Sequence, residues 1–268
     1  MSKINTNCET CPVHNLANLE KLGVDMQGYD YVVALAGNPN TGKSTIFNNL
    51  TGLKQHTGNW PGKTVARAEG GFKFNDNKFK LVDLPGTYSL LSTSTDEEVA
   101  RNFILFGQPD VTVIVVDSTK LERNLNLVLQ ILEITDRAVL CLNLIDEAER
   151  KKIVINVREL SKQLGIPVVP TSARTKEGMD ELTNYVHQVA SGEYICKPHR
   201  IKTYTKKMNK TIDEISSKLK MTFPNLTNER WVALRLLEGD QTIIDSVRSG
   251  EVGSIAVGSS NKISEVQL

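Results

Sequence analysis

The sequence predicts an α/β fold: a mostly parallel six-stranded sheet with helices on both faces, followed by a small all-α domain. Three observations lead there. Short apolar runs alternate with amphipathic stretches from Tyr31 to Ala190, the pattern of β–α units wound around a buried parallel sheet. After Pro198 no strand pattern recurs, and helical periodicity takes over. Hydrophobic residues make up 40% and charged residues 24% of 268, so a packed core is attainable and wholesale disorder is excluded.

The elements follow in chain order. Residues 1–29 are polar and irregular, with Cys8, Cys11 and His14 ahead of a short helical stretch near residues 16–22, and form an N-terminal extension. Residues 31–37 (YVVALAG) are a continuous apolar run ending in glycine, the signature of a buried strand. Residues 79–83, 111–117, 138–143 and 168–171 repeat that pattern. Residues 68–74 add an antiparallel edge strand, joined to 79–83 through Asn75-Asp76-Asn77. Helices are expected over 43–50, 96–106, 121–135, 157–164 and 179–190. A helical unit over 201–247 has Met208, Ile212, Ile215 and Leu219 on one face. Its second helix starts after Thr227-Asn228-Glu229 and stops at Gly239. The expected divisions are therefore 1–29, 30–196, 197–247 and a Gly/Ser-rich flexible tail over 248–268.

Charge and composition exclude whole classes. Lys+Arg number 32 against 31 Asp+Glu, a net charge of +1, so no global basic field points to nucleic acid. No apolar run reaches the roughly 18 residues of a membrane-spanning helix. Met1-Ser2-Lys3-Ile4-Asn5 lacks the apolar core of a secretory signal. Four cysteines make no disulfide framework, which implies a reducing, cytosol-facing compartment.

The chemistry sits where strands end, the place where such sheets bind ligands. Gly37-Asn38-Pro39-Asn40-Thr41-Gly42-Lys43-Ser44 matches G-x-x-x-x-G-K-[ST] between a strand and a helix. The glycines let backbone N–H groups wrap a β-phosphate. Lys43 reaches the β- and γ-phosphates, and the Ser44 hydroxyl can ligate Mg2+. Asp83-Leu84-Pro85-Gly86 follows the next core strand, where an acidic residue can hold a magnesium-bound water and the Gly86 N–H can meet a γ-phosphate. Alone, Asp-x-Pro-Gly is an ordinary turn; about forty residues after a phosphate loop it is a strong signal. Asn143-Leu144-Ile145-Asp146 ends another strand, and Ser172-Ala173-Arg174 follows the last. A carboxylate at Asp146 can accept guanine N1–H and its 2-amino group, and an unpaired buried Asp would disfavour adenine. Asn143 would tie this base loop to the phosphate loop, with the Ala173 N–H addressing guanine O6.

The four motifs together resemble those of the translation-factor-like P-loop GTPases. Four further stretches narrow the match: Thr57-Gly58-Asn59-Trp60-Pro61-Gly62-Lys63-Thr64-Val65, Leu84-Pro85-Gly86-Thr87-Tyr88-Ser89-Leu90, Asp96-Glu97-Glu98-Val99-Ala100-Arg101, and Arg230-Trp231-Val232-Ala233-Leu234-Arg235-Leu236-Leu237-Glu238-Gly239-Asp240. They are similar to the ferrous iron transport protein B (FeoB) family over residues 31–247. The resemblance implies a Mg2+-dependent GTPase domain that turns GTP and water into GDP and phosphate. It also implies a helical domain of the nucleotide-dissociation-inhibitor-like type and, in full-length members, a polytopic iron-permeation domain.

By position, the resemblance makes Thr64 the first-switch threonine that closes on Mg2+, within a nucleotide-contacting run Gly62, Lys63, Thr64, Val65 and Ala66. It makes 86–101 the second switch. Ser44, Thr64 and Asp83 become Mg2+ ligands and Asn40 a K+ ligand. Lys43, Thr64 and Gly86 form the catalytic group. Thr45, Leu84 and Pro85 complete the phosphate contacts, and Leu144 and Ile145 the base loop. The implied partners are GTP and GDP, the membrane permease domain of the same parent protein, Fe2+ as the transported ion, and small accessory Feo proteins. The implied location is the cytoplasmic face of the cell (inner) membrane, this chain alone being soluble.

The sequence departs from the family at Ser92-Thr93-Ser94-Thr95, which replaces the usual Ser-Pro-Tyr-Ser. These residues include no membrane domain, so transport is expected of the parent protein. Where Ras-type enzymes place a water-orienting glutamine, this chain has Thr87 and then Tyr88. Without that amide, hydrolysis should be slow, which suits a switch. A ribosomal-RNA-binding GTPase is disfavoured by the near-neutral charge, while a passive nucleotide-binding module shares the missing glutamine. Cys8, Cys11 and His14 have metal-ligand types but no fourth ligand, so metal binding there is the weaker reading. Cys141 reads as a buried small hydrophobe, and Cys196 and His199 as linker residues. The basic face of Lys202, Lys206, Lys207 and Lys210 reads as solvated rather than lipid-bound.

Overall fold

The computed structural model describes residues 19–53, 55–91, 94–200, 205–224, 226, 228–250 and 252. The α/β unit runs β1 (Tyr31–Gly37), α1 (Lys43–Thr51), β2 (Gln55–Asn59), β3 (Ala66–Phe74), β4 (Asn77–Asp83), α2 (Thr95–Asn102), β5 (Val111–Asp117), α3 (Leu121–Ile134), β6 (Ala138–Asn143), α4 (Ile145–Arg150), α5 (Val157–Leu164), β7 (Val168–Pro170) and α6 (Met179–Ser191). The strands form one sheet in the order β2-β3-β4-β1-β5-β6-β7. The run β4-β1-β5-β6-β7 is parallel, and β2 and β3 continue it antiparallel. Strands β5 and β6 are buried along their whole length, as unbroken Val/Ile/Leu runs must be when helices cover both faces.

The sheet has seven strands, one more than expected. Strand β2 reads Gln-His-Thr-Gly-Asn, with no apolar alternation to reveal it. It exists because its backbone pairs with β3, from Gln55 opposite Gly70 to Asn59 opposite Ala66. β3 is therefore an interior strand and β2 the edge. The β3–β4 turn forms as expected, over Asn75-Asp76, with Asn75 in the left-handed region at φ 52° that asparagine tolerates. The helix expected over 96–106 stops at Asn102 and continues as a π-helical turn, Phe103–Gly107, all of it buried.

Part of the expected N-terminal extension and the expected linker residues near 196–199 are built into the fold. Leu19 and Val24 lie in the core, so residues 19–29 are part of the packed unit. The Lys197 N–H donates to Gly165 O at 2.9 Å, and the Arg200 guanidinium donates to Asp136 Oδ1 at 2.6 Å and Leu132 O at 2.9 Å. Cys196 is buried against Ala138 O, so residues 196–200 still belong to the α/β unit. Cys141 is buried as expected, and burial pushes its thiol up to about 12. Cys8, Cys11, His14, Ser92, Thr93, Lys202 and nearly all of the expected tail lie outside the described residues.

The helical part contains α7 (Lys206–Thr222), α8 (Glu229–Leu237) and α9 (Gln241–Arg248). Thr205 caps α7, its hydroxyl accepting the Met208 N–H, and Ile212 and Leu219 are buried beneath it. Trp231, Val232, Ala233 and Leu234 are the buried residues of α8. Lys206, Lys207 and Lys210 lie on the outer face, and Lys210 stands 3.9 Å from Glu214.

Asp240 starts α9 by accepting the Thr242 and Ile243 N–H groups. The same carboxylate meets Arg101, on α2, at 3.3 Å, and Arg101 also donates to Thr242 Oγ1 at 3.1 Å. Arg101 is only 1% exposed, so its charge is expensive unless paired. This ion pair and the Asn228 amide on Glu133 O and Ile134 O join the helical part to the sheet part.

Burial pushes the Asp240 carboxyl up, but the Thr242 hydroxyl and the Arg101 guanidinium outweigh it and hold it below its ordinary value. A depressed folded value means that the pair stabilises fully above the unfolded value of about 4 and is lost as pH falls below it. Urea unfolding at pH 7 should show Arg101→Ala destabilised by about 3 kcal/mol. Asp240→Asn should flatten the acid limb of the stability profile. An unchanged acid limb would contradict the pairing.

Candidate nucleotide-binding site

Four loops meet at the carboxyl ends of β1, β4, β6 and β7. The first, 37–44, leaves β1 and turns into α1. Its glycines are required by space: a Cβ on Gly37 would stand 2.4 Å from Val115 O, and one on Gly42 2.3 Å from Asn143 Nδ2. Gly42 also sits at φ 85°, which an L side chain rarely adopts. The Thr41 hydroxyl closes the loop on Asn38 O at 2.9 Å. Helix α1 starts without a side-chain cap, so its first N–H groups are the donors an anion would meet. Asn40, Ser44 and Thr45 are exposed along this rim, Asn40 in the left-handed region at φ 64°. Asn38 is buried with both amide atoms unpartnered, a feature that the motif spacing does not show.

The second loop, 83–87, lies on the first. The Leu84 N–H donates to Leu35 O at 3.0 Å, the Thr87 N–H to Gly37 O at 3.3 Å, and Gly86 faces Pro39. The Lys43 ammonium bonds the Asp83 carboxylate and donates to Leu84 O at 2.7 Å. Burial holds the Asp83 carboxyl above its ordinary value, and Lys43 offsets only part of that rise. The Ser44 hydroxyl and the Asp83 carboxylate are hard oxygen donors on adjoining loops, a set that suits Mg2+. Among the described residues, no group of three or more His, Cys, Asp or Glu forms a separate metal site.

The base side is organised by one amide. Asn143, fully buried, donates from Nδ2 to Thr41 O at 2.9 Å. Its Oδ1 accepts the Ala173 N–H at 3.0 Å and the Thr171 hydroxyl at 3.3 Å. The Ala173 N–H, expected to address guanine O6, is thus bonded inside the protein. Two contributors went unseen in the sequence. The Asn49 amide, from α1, donates to Ala173 O at 2.6 Å, and the Ser118 hydroxyl donates to Leu144 O at 2.8 Å. Neither lies in a recognisable motif. Asp146 stands at the start of α4, with Arg174 at 2.9 Å and Arg150 at 3.5 Å. Desolvation raises the carboxyl, but Arg174, the Ser172 hydroxyl and Arg150 outweigh that and hold it below the ordinary range.

The run Gly62-Lys63-Thr64-Val65-Ala66 lies apart from this cluster, in the turn of the β2–β3 hairpin and the first residue of β3. The Trp60 N–H donates to Val65 O and the Lys63 N–H to Trp60 O, both at 3.0 Å. Asp83 pairs across with Ala68. Thr64 lies four residues further along, up to about 13 Å of extended chain, and is exposed. Lys63 reaches Glu98 on α2 at 3.0 Å, which joins the hairpin to the second expected switch.

The sheet, the phosphate-type loop and the Asn143–Asp146 loop define a G domain of the P-loop GTPase type. Residues 31–186 match the family model described as ferrous iron transport protein B, and residues 204–266 match that of the FeoB cytosolic helical domain. The Fe(2+) transporter FeoB of Escherichia coli (strain K12) is 41% identical over 212 residues, which are 78% of this chain and 27% of that protein. The cytosolic domain of the T. maritima FeoB iron transporter in a GDP form superimposes with a TM-score of 0.72 at 38% identity, covering 87% of this chain and 89% of that one. The cytosolic domain of L. pneumophila FeoB gives 0.74 at 30% identity, covering 85% and 89%. The chain belongs to the ferrous iron transport protein B family. It spans about a quarter of the length of the curated relatives it matches.

Gly42→Ala should push Asn143 off Thr41 O and loosen residues 171–174. Hydrogen exchange at the Ala173 amide should then quicken about tenfold, the equivalent of 1.4 kcal/mol. Unchanged protection would show that Asn143 does not hold that loop.

Proposed function

We propose that this chain is the GTP-hydrolysing switch of a membrane protein that takes up Fe2+, with Mg2+ as cofactor and K+ as activator. The observation that supports it most is the Asn143 amide, which locks a guanine-type loop to a phosphate-type loop. Asp146, ionised at neutral pH, accepts guanine N1–H and the 2-amino group once Arg174 swings aside, a pattern that adenine cannot match. Lys43 exchanges Asp83 and Leu84 O for the β- and γ-phosphates. The backbone of 38–45 and the Gly86 N–H cradle phosphate oxygens. Ser44, Thr64 and Asp83 hold Mg2+ and Asn40 holds K+, ions that supply charge neutralisation at the phosphates when bound.

Hydrolysis is slow in this reading. The Thr87 N–H is spent on Gly37 O and the Tyr88 ring lies 4.5 Å from the Arg123 guanidinium. Neither residue carries the amide that orients water elsewhere. Rate then depends on charge at the phosphates, which is where an added monovalent cation acts. The chain works at the cytoplasmic face of the cell membrane, joined to a permease domain that passes Fe2+ and met by small accessory Feo proteins. No helix among the described residues is long and apolar enough to cross a membrane.

Single-turnover hydrolysis of GTP in matched K+ and Na+ buffers tests the reading. K+ should be faster by about tenfold or more, each factor of ten being roughly 1.4 kcal/mol of barrier. Asn40→Ala should lose that gain while binding GTP within a few-fold of the parent, and ATP should not be turned over. Equal rates in the two cations would sink the K+ site, and no turnover at all would favour a passive nucleotide-binding module.

A further inference from the structure

The segment before the sheet, residues 19–29, is pressed against the hairpin that carries Thr64. Its grip centres on Arg67, the second residue of β3. The Arg67 guanidinium donates to Leu22 O at 3.0 Å and Gly23 O at 2.8 Å. The same group pairs with Glu69 at 2.9 Å and lies 5.3 Å from the Trp60 ring centre. Trp60 is buried and meets Phe103 edge-on at 5.4 Å. Gly23 has no room for a side chain: a Cβ would stand 2.7 Å from Arg67 Nη1 and 2.9 Å from Pro61 Cγ. On its other side the segment touches the π-helical turn after α2. A Cβ on Gly107 would stand 3.0 Å from Leu22 and 3.6 Å from Leu19. Tyr29 and Asp30 fasten the end of the segment to β4, through Lys80 at 5.2 Å from the Tyr29 ring and a two-way backbone and side-chain link to Lys78.

We propose that residues 19–29 form a clasp on the β2–β3 hairpin, with Arg67 and Gly23 as its positioning residues, that favours the diphosphate-bound over the triphosphate-bound state. The inference rests on the GTPase reading above and concerns a segment to which that reading gives no part. The clasp holds Trp60, Pro61 and Arg67 in place, and these residues hold the hairpin turn. While β2 stays paired to β3, Thr64 remains at the tip of that turn. Triphosphate binding needs Thr64 at Mg2+, so the hairpin must leave its seat and the clasp contacts must be given up. A clasp that binds one switch state better shifts the equilibrium only by that difference. Diphosphate binding uses the phosphate and base loops, which the clasp does not touch.

The test is a comparison of affinities for GDP and a non-hydrolysable GTP analogue, each with Mg2+, in the full chain. Gly23→Ala forces the clasp off Pro61 and Arg67. Gly28→Ala is its control, because Gly28 has the same left-handed backbone, φ 79°, and nothing within 4 Å of a Cβ. The ratio of analogue to GDP affinity should rise about fivefold or more in Gly23→Ala, the lower end of measured couplings, and stay at the parent value in Gly28→Ala. Arg67→Lys keeps a cation near Glu69 and Trp60 but lacks the planar fork that places one nitrogen on each carbonyl, so it should move the ratio the same way by a smaller factor. It also serves if Gly23→Ala does not fold. A ratio unchanged in both Gly23→Ala and Arg67→Lys, or raised equally in Gly28→Ala, would overturn the clasp. Failure of the parent chain to bind either nucleotide would instead overturn the GTPase reading, and the clasp with it.

Discussion

The buried side-chain amide of Asn143 is the constraint on which the site depends. One carbonyl oxygen and one NH2 group link Asn143 to two segments, whose bonded residues lie 28 to 102 positions away from it in sequence. The link forms because β6 ends at Asn143 between β5 and β7, and because Gly42 leaves the space the amide occupies. A buried amide left without these partners would cost about 1–3 kcal/mol. The loops therefore hold a common arrangement before any ligand arrives, and binding energy need not be spent on ordering them. Asn49 adds a second tie from α1 to the same base loop.

Around that fixed centre the parts expected to move are held by separate connections. The Lys43–Asp83 contact joins the phosphate loop to the end of β4, ahead of the second switch, and Lys63–Glu98 joins the hairpin to α2. Arg101 then carries α2 to the helical part through Asp240. The hairpin and α9 thus both meet α2, at Glu98 and at Arg101. Coupling between the hairpin and the helical part would be measured at Glu98, Arg101 and Asp240.

Much of this was legible in the sequence, and what was missed shares a cause. The runs 31–37, 111–117 and 138–143 are long, apolar and glycine- or polar-terminated, so their strands and the motifs behind them were readable. Strand β2 was not, because Gln-His-Thr-Gly-Asn has no period of its own and becomes a strand only through β3. The π-helical turn at 103–107 has the apolar pattern of plain helix, since periodicity does not register one extra residue per turn. The short helical pattern around Leu19 does not say what it packs against, and Val24 and Cys196 are single apolar residues in polar surroundings, yet each fills a place in the core. The resemblance to FeoB rested on contiguous motifs such as Gly58-Asn59-Trp60-Pro61-Gly62 and survived comparison. The tertiary partners of those motifs, Arg67 for Trp60 and Asn49 for Ala173, became visible only when distant segments were brought together.

One amide, that of Asn143, holds the phosphate and base loops together as a single preformed site. Titration calorimetry of GDP into the parent chain and into Asn143→Ala, at fixed Mg2+ and salt, tests it most directly. The account predicts that the variant, still folded at 25 °C, loses about a hundredfold or more in affinity, roughly 2.7 kcal/mol. An equal GDP affinity in the two chains would contradict it.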